Sequence, residues 1–227
     1  MSIPGGWITN LDSVVQMTEF GYSSPGSWND ADMLQVCTFG EGATRHWNST
    51  GKPDDPNGLG MTMVEYTSHL SVWAVLGSPL IHSADLRTVG QRHPECLALM
   101  VNEEIIDVNQ DVEAHPPQLL FATTNVTGKT YKEVNSTAIT SQGFGRALSG
   151  GRAAAVLFNR DEAPMQLTLN FTALFPGVSD AGSGKYKVRD VVGKKDLGEA
   201  TGSWSTEVAS HAVAFVVLTP ASSSQSV

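Results

Sequence analysis

The residue pattern of the sequence changes at His115-Pro116-Pro117, and this change indicates a fold in two parts. Before it, helical periodicities alternate with short apolar runs, a pattern typical of βα units on a parallel sheet. Beyond it, short runs rich in Val, Thr, Phe and Ala are broken by turn residues about every ten positions, which is typical of an antiparallel β-sandwich. We therefore expect an α/β domain at residues 1–114, an all-β domain at 115–220 and a disordered tail at 221–227.

The first part contains signals for individual elements. Residues 8–18 have helical spacing, and a short apolar stretch at 20–22 predicts a strand. Thr62 and Glu65 form a capping box that predicts the start of a helix ending at Gly77. Residues 79–83 predict a short buried strand, followed by a helical stretch from Asp85 to residue 108. In the second part, strands are predicted at 119–123, 152–158, 165–171, 186–192 and 213–218.

Charge and hydropathy exclude some classes of partner. The chain has 14 Lys and Arg against 23 Asp and Glu, a formal net charge of −9. Such a chain repels phosphate backbones, so we expect no nucleic-acid partner. No apolar run approaches the roughly 18–20 residues of a membrane span, and no signal peptide is visible at the N-terminus.

The cysteines and the glycosylation motifs indicate the cellular compartment in which the chain folds. Cys37 and Cys96 lie in unrelated segments, which favours two separate buried thiols over a disulfide. Four N-x-[ST] sequons favour a protein of the secretory pathway. This conflicts with the missing signal peptide unless the true N-terminus is missing. The candidate glycosylation sites are Asn48, Asn125, Asn135 and Asn170.

The densest polar constellation is the segment 28–34, Trp-Asn-Asp-Ala-Asp-Met-Leu, which we call the site loop. We expect it to follow the predicted strand at 20–22 directly, and loops that follow strands carry the functional sites of parallel α/β domains. Its carboxylates can accept hydrogen bonds from sugar hydroxyls, and Trp28 and Met33 can cover the C–H face of a sugar. The alternative is a solvated turn in which Asp30 or Asp32 binds nearby backbone amides.

The site loop resembles the W-N-D-[PA]-D-M-L signature of the α-galactosidase (melibiase) family of glycoside hydrolases. Further blocks resemble that family in the same order, so the resemblance covers nearly the whole chain. They are residues 61–74, 78–87, 102–111, 156–160, 186–192 and 208–214.

This resemblance implies the C-terminal part of a (β/α)₈ barrel followed by an antiparallel β-sandwich. It implies retaining hydrolysis of terminal α-D-galactosyl linkages in oligosaccharides or glycolipids, without a metal or organic cofactor. Asp32 and Met33 are expected to line the galactose pocket, whereas Trp28, Asn29 and Asp30 are expected to hold the shape of the loop. The parent enzyme would be secreted or lysosomal/vacuolar, and it could form a homodimer.

The resemblance also implies that this chain lacks the catalytic pair. A (β/α)₈ barrel needs about 250 residues, and the first part holds only the last strands and helices. In the family the nucleophile follows the fourth strand, and the acid/base precedes a Trp that resembles Trp7, which places it near Ser2 or off the chain. Asp30 and Asp32 would lie on one side of a sugar, so they do not suit two facing carboxylates. We expect a truncated chain that is inactive alone.

Three alternatives stay open at this point. The chain could be a non-catalytic sugar-binding or scaffolding remnant, or it could form an enzyme with a second chain that supplies the missing strands. The parent could also be an α-N-acetylgalactosaminidase, because that enzyme shares the scaffold. His69 and His82 favour structural histidines over catalytic bases.

Overall fold

The structure is a computed structural model that describes residues 6–38, 61–87, 89–175 and 181–221. The long loop predicted around residues 44–60 and almost all of the predicted tail lie outside these residues.

In the part of the chain that the structure describes, five helices precede the β-rich part. The second begins with the predicted capping box, since Glu65 N donates to Thr62 Oγ1 and Thr62 N donates to Glu65 Oε2. It ends at Gly77, which adopts φ +68°, a left-handed conformation that glycine takes without steric cost. No described helix is long and apolar enough to cross a membrane. The helices are α1 Trp7–Glu19, α2 Met63–Leu76, α3 Val89–Arg92, α4 Pro94–Met100 and α5 Glu103–Asn109.

Among the described residues of the first part, the parallel pairing is limited to one bridge between Leu34 and His82. Leu34 N donates to Ile81 O at 2.8 Å, and Ser83 N donates to Leu34 O at 3.1 Å. The prediction of a buried strand at 79–83 was therefore partly wrong, because Ile81 is 53% exposed. The predicted strand at 20–22 is absent: Phe20 and Tyr22 are exposed and stack on each other.

The predicted helical stretch after Asp85 is divided into α3, α4 and α5. Pro94 begins α4, and its ring cannot continue a preceding helix. Asn102 then caps α5 by accepting a hydrogen bond from Glu104 N, so the chain starts a new helix there.

Eight antiparallel strands form two sheets in the described residues of the second part. The large sheet has the order β1-β2-β3-β8-β5-β6, and the small sheet pairs β4 with β7. A one-turn helix, α6 Phe171–Leu174, follows β4. The five predicted strands correspond to β1, β3, β4, β5 and β8, whereas β2, β6 and β7 were missed. The strands are β1 Gln118–Thr124, β2 Ile139–Leu148, β3 Arg152–Asn159, β4 Met165–Asn170, β5 Lys185–Asp190, β6 Lys195–Thr201, β7 Ser203–Val208 and β8 Val213–Pro220.

Both faces of the large sheet are covered because its side chains alternate between them. On one face, Ala155 and Leu157 pack against Leu167 and Leu169 of the small sheet. On the other face, Val156 and Phe158 belong to a core that includes α2, whose residues are all buried between 68 and 76. The large sheet therefore forms a wall of the helical part as well as a layer of the sandwich.

Candidate functional site

The site loop lies between α1 and the bridge at Leu34, so it precedes the parallel pairing. This corrects the expectation that it follows a strand. Its residues differ in exposure: Ala31 and Leu34 are buried, whereas Asp30, Asp32 and Met33 are exposed. The buried pair anchors the loop, and the exposed side chains are available to a ligand.

Hydrogen bonds from the end of α2 hold the backbone of the loop. Ala31 N donates to Ser78 Oγ at 2.8 Å, and the same hydroxyl donates to Asn29 O at 3.0 Å. Trp73 Nε1 donates to Asp32 O at 2.9 Å. The loop is thus fixed on both sides of Asp30.

Within the loop, Asp30 Oδ1 accepts a hydrogen bond from Asp32 N at 2.8 Å, which closes a local turn. Asp32 has φ +74°, in the left-handed region that Asp tolerates better than most residues. This geometry is of the kind expected if Asp30 holds the shape of the loop. The assignment of Trp28, Asn29 and Asp30 to that role stays a prediction.

Asp32 and Met33 present a carboxylate and a thioether side by side. The Met33 side chain is 54% exposed. The Asp32 carboxylate accepts from Met33 N at 2.7 Å and, on its other oxygen, from Asn10 Nδ2 of α1 at 3.4 Å. A carboxylate with free lone pairs beside an apolar surface can bind sugar hydroxyls and cover C–H groups.

Trp28 is in contact with two residues that the sequence did not connect with the site loop. The guanidinium carbon of Arg146 lies 4.8 Å from the centre of its ring. Gly77 lies beside both, since a Cβ there would be 3.0 Å from Arg146 Nη1 and 3.1 Å from Trp28 Cε3. Gly77 carried a helix-end signal in the sequence, whereas Arg146 carried none because β2 was not predicted.

The two histidines of this region are not placed for acid–base chemistry. His69 is buried between Trp7 and Trp73, with ring centroids at 4.7 and 4.2 Å. Burial, with a smaller contribution from the charge of His82, lowers the pKa of His69 to about 3. Burial also lowers the pKa of His82. Both environments favour the neutral ring, in keeping with structural histidines.

Cys37 and Cys96 form a disulfide, so the interpretation as two separate thiols was wrong. Their Cα atoms are 6.0 Å apart, and both residues are buried. The fold brings the segment after the site loop against α4, although the cysteines are 59 residues apart in sequence. Cys37 has φ +62°.

Three of the four sequons lie in described residues, and their asparagines are all exposed: Asn125, Asn135 and Asn170. Asn170 caps α6, since its Oδ1 accepts from Thr172 N at 3.0 Å. Asn48 lies outside the described residues. Within the described ranges, no three His, Cys, Asp or Glu side chains come together as a metal site would require.

Two family models match the chain. One, described as the alpha galactosidase C-terminal beta sandwich domain, covers residues 140–218. The other, described as alpha galactosidase A, covers residues 45–111.

Individual relatives agree with these matches. The chain is 32% identical to alpha-galactosidase 3 of Arabidopsis thaliana over 206 residues, which are 90% of this chain and 38% of the relative. It is 33% identical to an alpha-galactosidase of Oryza sativa subsp. japonica over 199 residues, 88% of this chain and 37% of the relative. The chain therefore spans less than half the length of these relatives.

A solved structure shows the same fold. Alpha-galactosidase I from Mortierella vinacea superposes with a TM-score of 0.68 at 25% identity, covering 96% of this chain and 46% of that one. The predicted fold class, the C-terminal part of a (β/α)₈ barrel followed by an antiparallel β-sandwich, is confirmed.

Proposed function

The chain belongs to the α-galactosidase (melibiase) family as its C-terminal portion, and from this premise we propose that it serves retaining hydrolysis of terminal α-D-galactosyl linkages. The substrates proposed are oligosaccharides or glycolipids that end in such a linkage. This chain would supply one wall of the galactose pocket and the sandwich that supports it.

The observation that carries this proposal is the exposed Asp32–Met33 pair on a loop with a fixed backbone. The carboxylate of Asp32 would accept hydrogen bonds from galactose hydroxyls, and Met33 would lie against the apolar face of the ring. Trp73 and Ser78 support this role because they hold the backbone on which the pair is carried.

We assign no catalytic residue to this chain. A retaining glycosidase needs two facing carboxyl groups about 5–5.5 Å apart, one as nucleophile and one as acid/base. Asp30 and Asp32 are neighbours on one turn and are joined through a backbone amide, so they do not face each other. Both catalytic carboxylates are proposed to come from residues outside this chain.

A route through the secretory pathway, and a secreted or lysosomal/vacuolar parent, are also proposed. The buried disulfide supports this route because disulfides persist in oxidising compartments. The exposed sequons at Asn125, Asn135 and Asn170 support it independently, since glycan transfer needs accessible asparagines. The proposed homodimer of the parent stays a prediction.

The test uses the whole chain with two assays. We expect no release of nitrophenol from 4-nitrophenyl α-D-galactopyranoside, and weak binding of galactose detected by saturation-transfer NMR. Asp32→Asn should weaken that binding, whereas the matched control Asp107→Asn, an exposed carboxylate on α5, should not. The N-acetylgalactosamine analogue, assayed in parallel, tests the alternative substrate.

Each outcome has a defined consequence. Turnover by the chain alone would refute the absence of catalytic residues. Failure of the wild-type chain to bind galactose, or equal binding by Asp32→Asn, would refute the pocket assignment. Preferential binding of N-acetylgalactosamine would refute the galactoside assignment.

A further inference from the structure

We propose that Arg146 is a positioning residue through which the large sheet holds the site loop in its binding conformation. The inference rests on the proposed function, because the loop that Arg146 reaches is the one assigned to galactose. It gives the sandwich a part in shaping the sugar pocket.

Arg146 is unusual because its charge is completely buried. It extends from β2 into the helical part, where Nε donates to His115 O at 2.8 Å. Nη1 donates to Val108 O at 3.2 Å and Asn109 O at 3.1 Å, the last two carbonyls of α5. The C-terminus of a helix favours a cation because its carbonyls are unpaired and carry partial negative charge.

No carboxylate is hydrogen-bonded to Arg146 among the described residues, and its Nη2 has no hydrogen-bond partner there. Burial lowers the pKa of Arg146, and the nearby charge of Asp111 opposes that shift. Guanidinium nevertheless stays protonated in proteins. A buried charge held only by backbone carbonyls contributes little net stability, so its position has to be explained by what else it contacts.

The first contact is the ring of Trp28, which begins the site loop. The guanidinium carbon lies 4.8 Å from the ring centre, within the range of a cation–π contact. Gly77 lies against both the guanidinium and the indole, and a larger residue at this position would collide with them. The indole of Trp28 is therefore held between the sheet and the end of α2.

The second contact is a relay of hydrogen bonds. Asn109, whose carbonyl accepts from Arg146, donates through Nδ2 to Ser78 O at 2.9 Å. Ser78 in turn binds the backbone of the loop at Ala31 N and Asn29 O. Both routes from Arg146 therefore end on residues 28–31, immediately before Asp32.

The test compares Arg146→Met with Arg152→Met in the whole chain. Arg146→Met keeps the apolar volume and removes the stacking charge. Arg152 lies on the neighbouring strand β3, is partly exposed and binds Asp111 and Ser149 without reaching the loop. Loop order is measured by hydrogen exchange at Ala31 N–H and at the Trp73 indole N–H, and the Trp204 indole on β7 reports whether the sandwich stays folded.

We expect Arg146→Met to accelerate exchange at both loop reporters and to weaken galactose binding, each by about tenfold. Exchange at Trp204 should stay unchanged, and Arg152→Met should leave all three reporters unchanged. Arg146→Lys should restore the loop reporters only in part, because an ammonium group cannot reproduce the planar fork and the stacking together. Equal acceleration of the loop reporters by Arg152→Met would overturn the proposal, because Arg152 does not reach the loop.

Unchanged loop exchange in Arg146→Met would also overturn the inference. If that variant does not fold, Trp28→Leu removes the stacked ring while Arg146 keeps its carbonyl contacts, and unchanged exchange at Ala31 in this variant has the same consequence. The exchange experiment does not depend on sugar. Absence of galactose binding in the wild type would refute the proposed function, whereas the reporters would still decide the role of Arg146.

Discussion

Replacing both cysteines tests how far the disulfide stabilises the helical part of the chain. The bond joins the segment after the site loop to α4 and closes a loop across 59 sequence positions. In the chain-entropy treatment, a closed loop of about 60 residues stabilises the folded state by about 4 kcal/mol at 25 °C. We therefore expect Cys37→Ala/Cys96→Ala to lose about that much free energy of unfolding.

The backbone at Cys37 refines this expectation. Its φ of +62° is unfavourable for any residue with a Cβ, by roughly 1–2 kcal/mol, and free for glycine. Cys37→Gly/Cys96→Ala should therefore be more stable than Cys37→Ala/Cys96→Ala by about 1 kcal/mol, after allowing for the greater flexibility of glycine when unfolded. Both variants lack the disulfide, so the difference between them isolates the backbone contribution.

Urea unfolding without reductant, followed by tryptophan fluorescence, measures these differences, and mass spectrometry counts free thiols in the native chain. Two free thiols in the folded wild type would refute the pairing itself. A double alanine variant within about 1 kcal/mol of the wild type would refute the loop-closure argument. Equal stability of the glycine and alanine variants would contradict the assigned backbone conformation.

Three further predictions concern other parts of the chain. The pKa of His69 is 6.5 in the unfolded chain and about 3 in the folded chain, so the free energy of unfolding decreases as the pH falls below 6.5. Urea unfolding should show that His69→Phe loses about 2 kcal/mol less of this free energy between pH 7 and pH 5 than the wild type does. Asp12→Ala leaves the buried Arg160 charge unpaired and should cost about 3–5 kcal/mol in denaturant titrations, whereas Asp12→Ala/Arg160→Met should cost less. In a eukaryotic secretory host, Asn170→Gln should lower the intact mass by one N-glycan; an unchanged mass would exclude that site.

The fold was predictable where local signals and packing agree. The capping box at Thr62 and the glycine at 77 mark the two ends of α2 because both act through local backbone geometry. Strands β3 and β8 were predictable because their central residues are apolar and buried, since the strands are covered on both faces there. The boundary between domains at residues 114 and 115 stays a prediction.

The missed strands lack such signals for physical reasons. β2 contains Gly143 and Gly145, which suggest a turn in the sequence. A Cβ at Gly143 would lie 2.3 Å from the Phe121 ring, and one at Gly145 would lie 2.5 Å from Leu174, so a side chain at either position would displace these neighbours. β6 is exposed along almost its whole length and therefore has no apolar alternation to detect.

At the candidate site, the sequence identified the exposed residues but not their supports. Asp32 and Met33 were predicted from a local motif, and their part in a sugar site stays a prediction. Arg146 lies on a strand that was missed, and the partner of Cys37 is 59 residues away, so neither contact leaves a local signal. Side chains that act over long sequence separations become visible only when the fold brings them together.

The position of α2 connects the site loop to the sandwich. Tyr66 and every residue from 68 to 76 are buried, so this helix has no solvent-facing side along most of its length. One side packs on the large sheet, and Ser68 Oγ donates to His211 O at the turn before β8. From the same helix, Trp73 binds the carbonyl of Asp32. The sheet thus fixes the helix and the helix fixes the loop, so a displacement of the sandwich would reach the backbone at Asp32 through these two contacts.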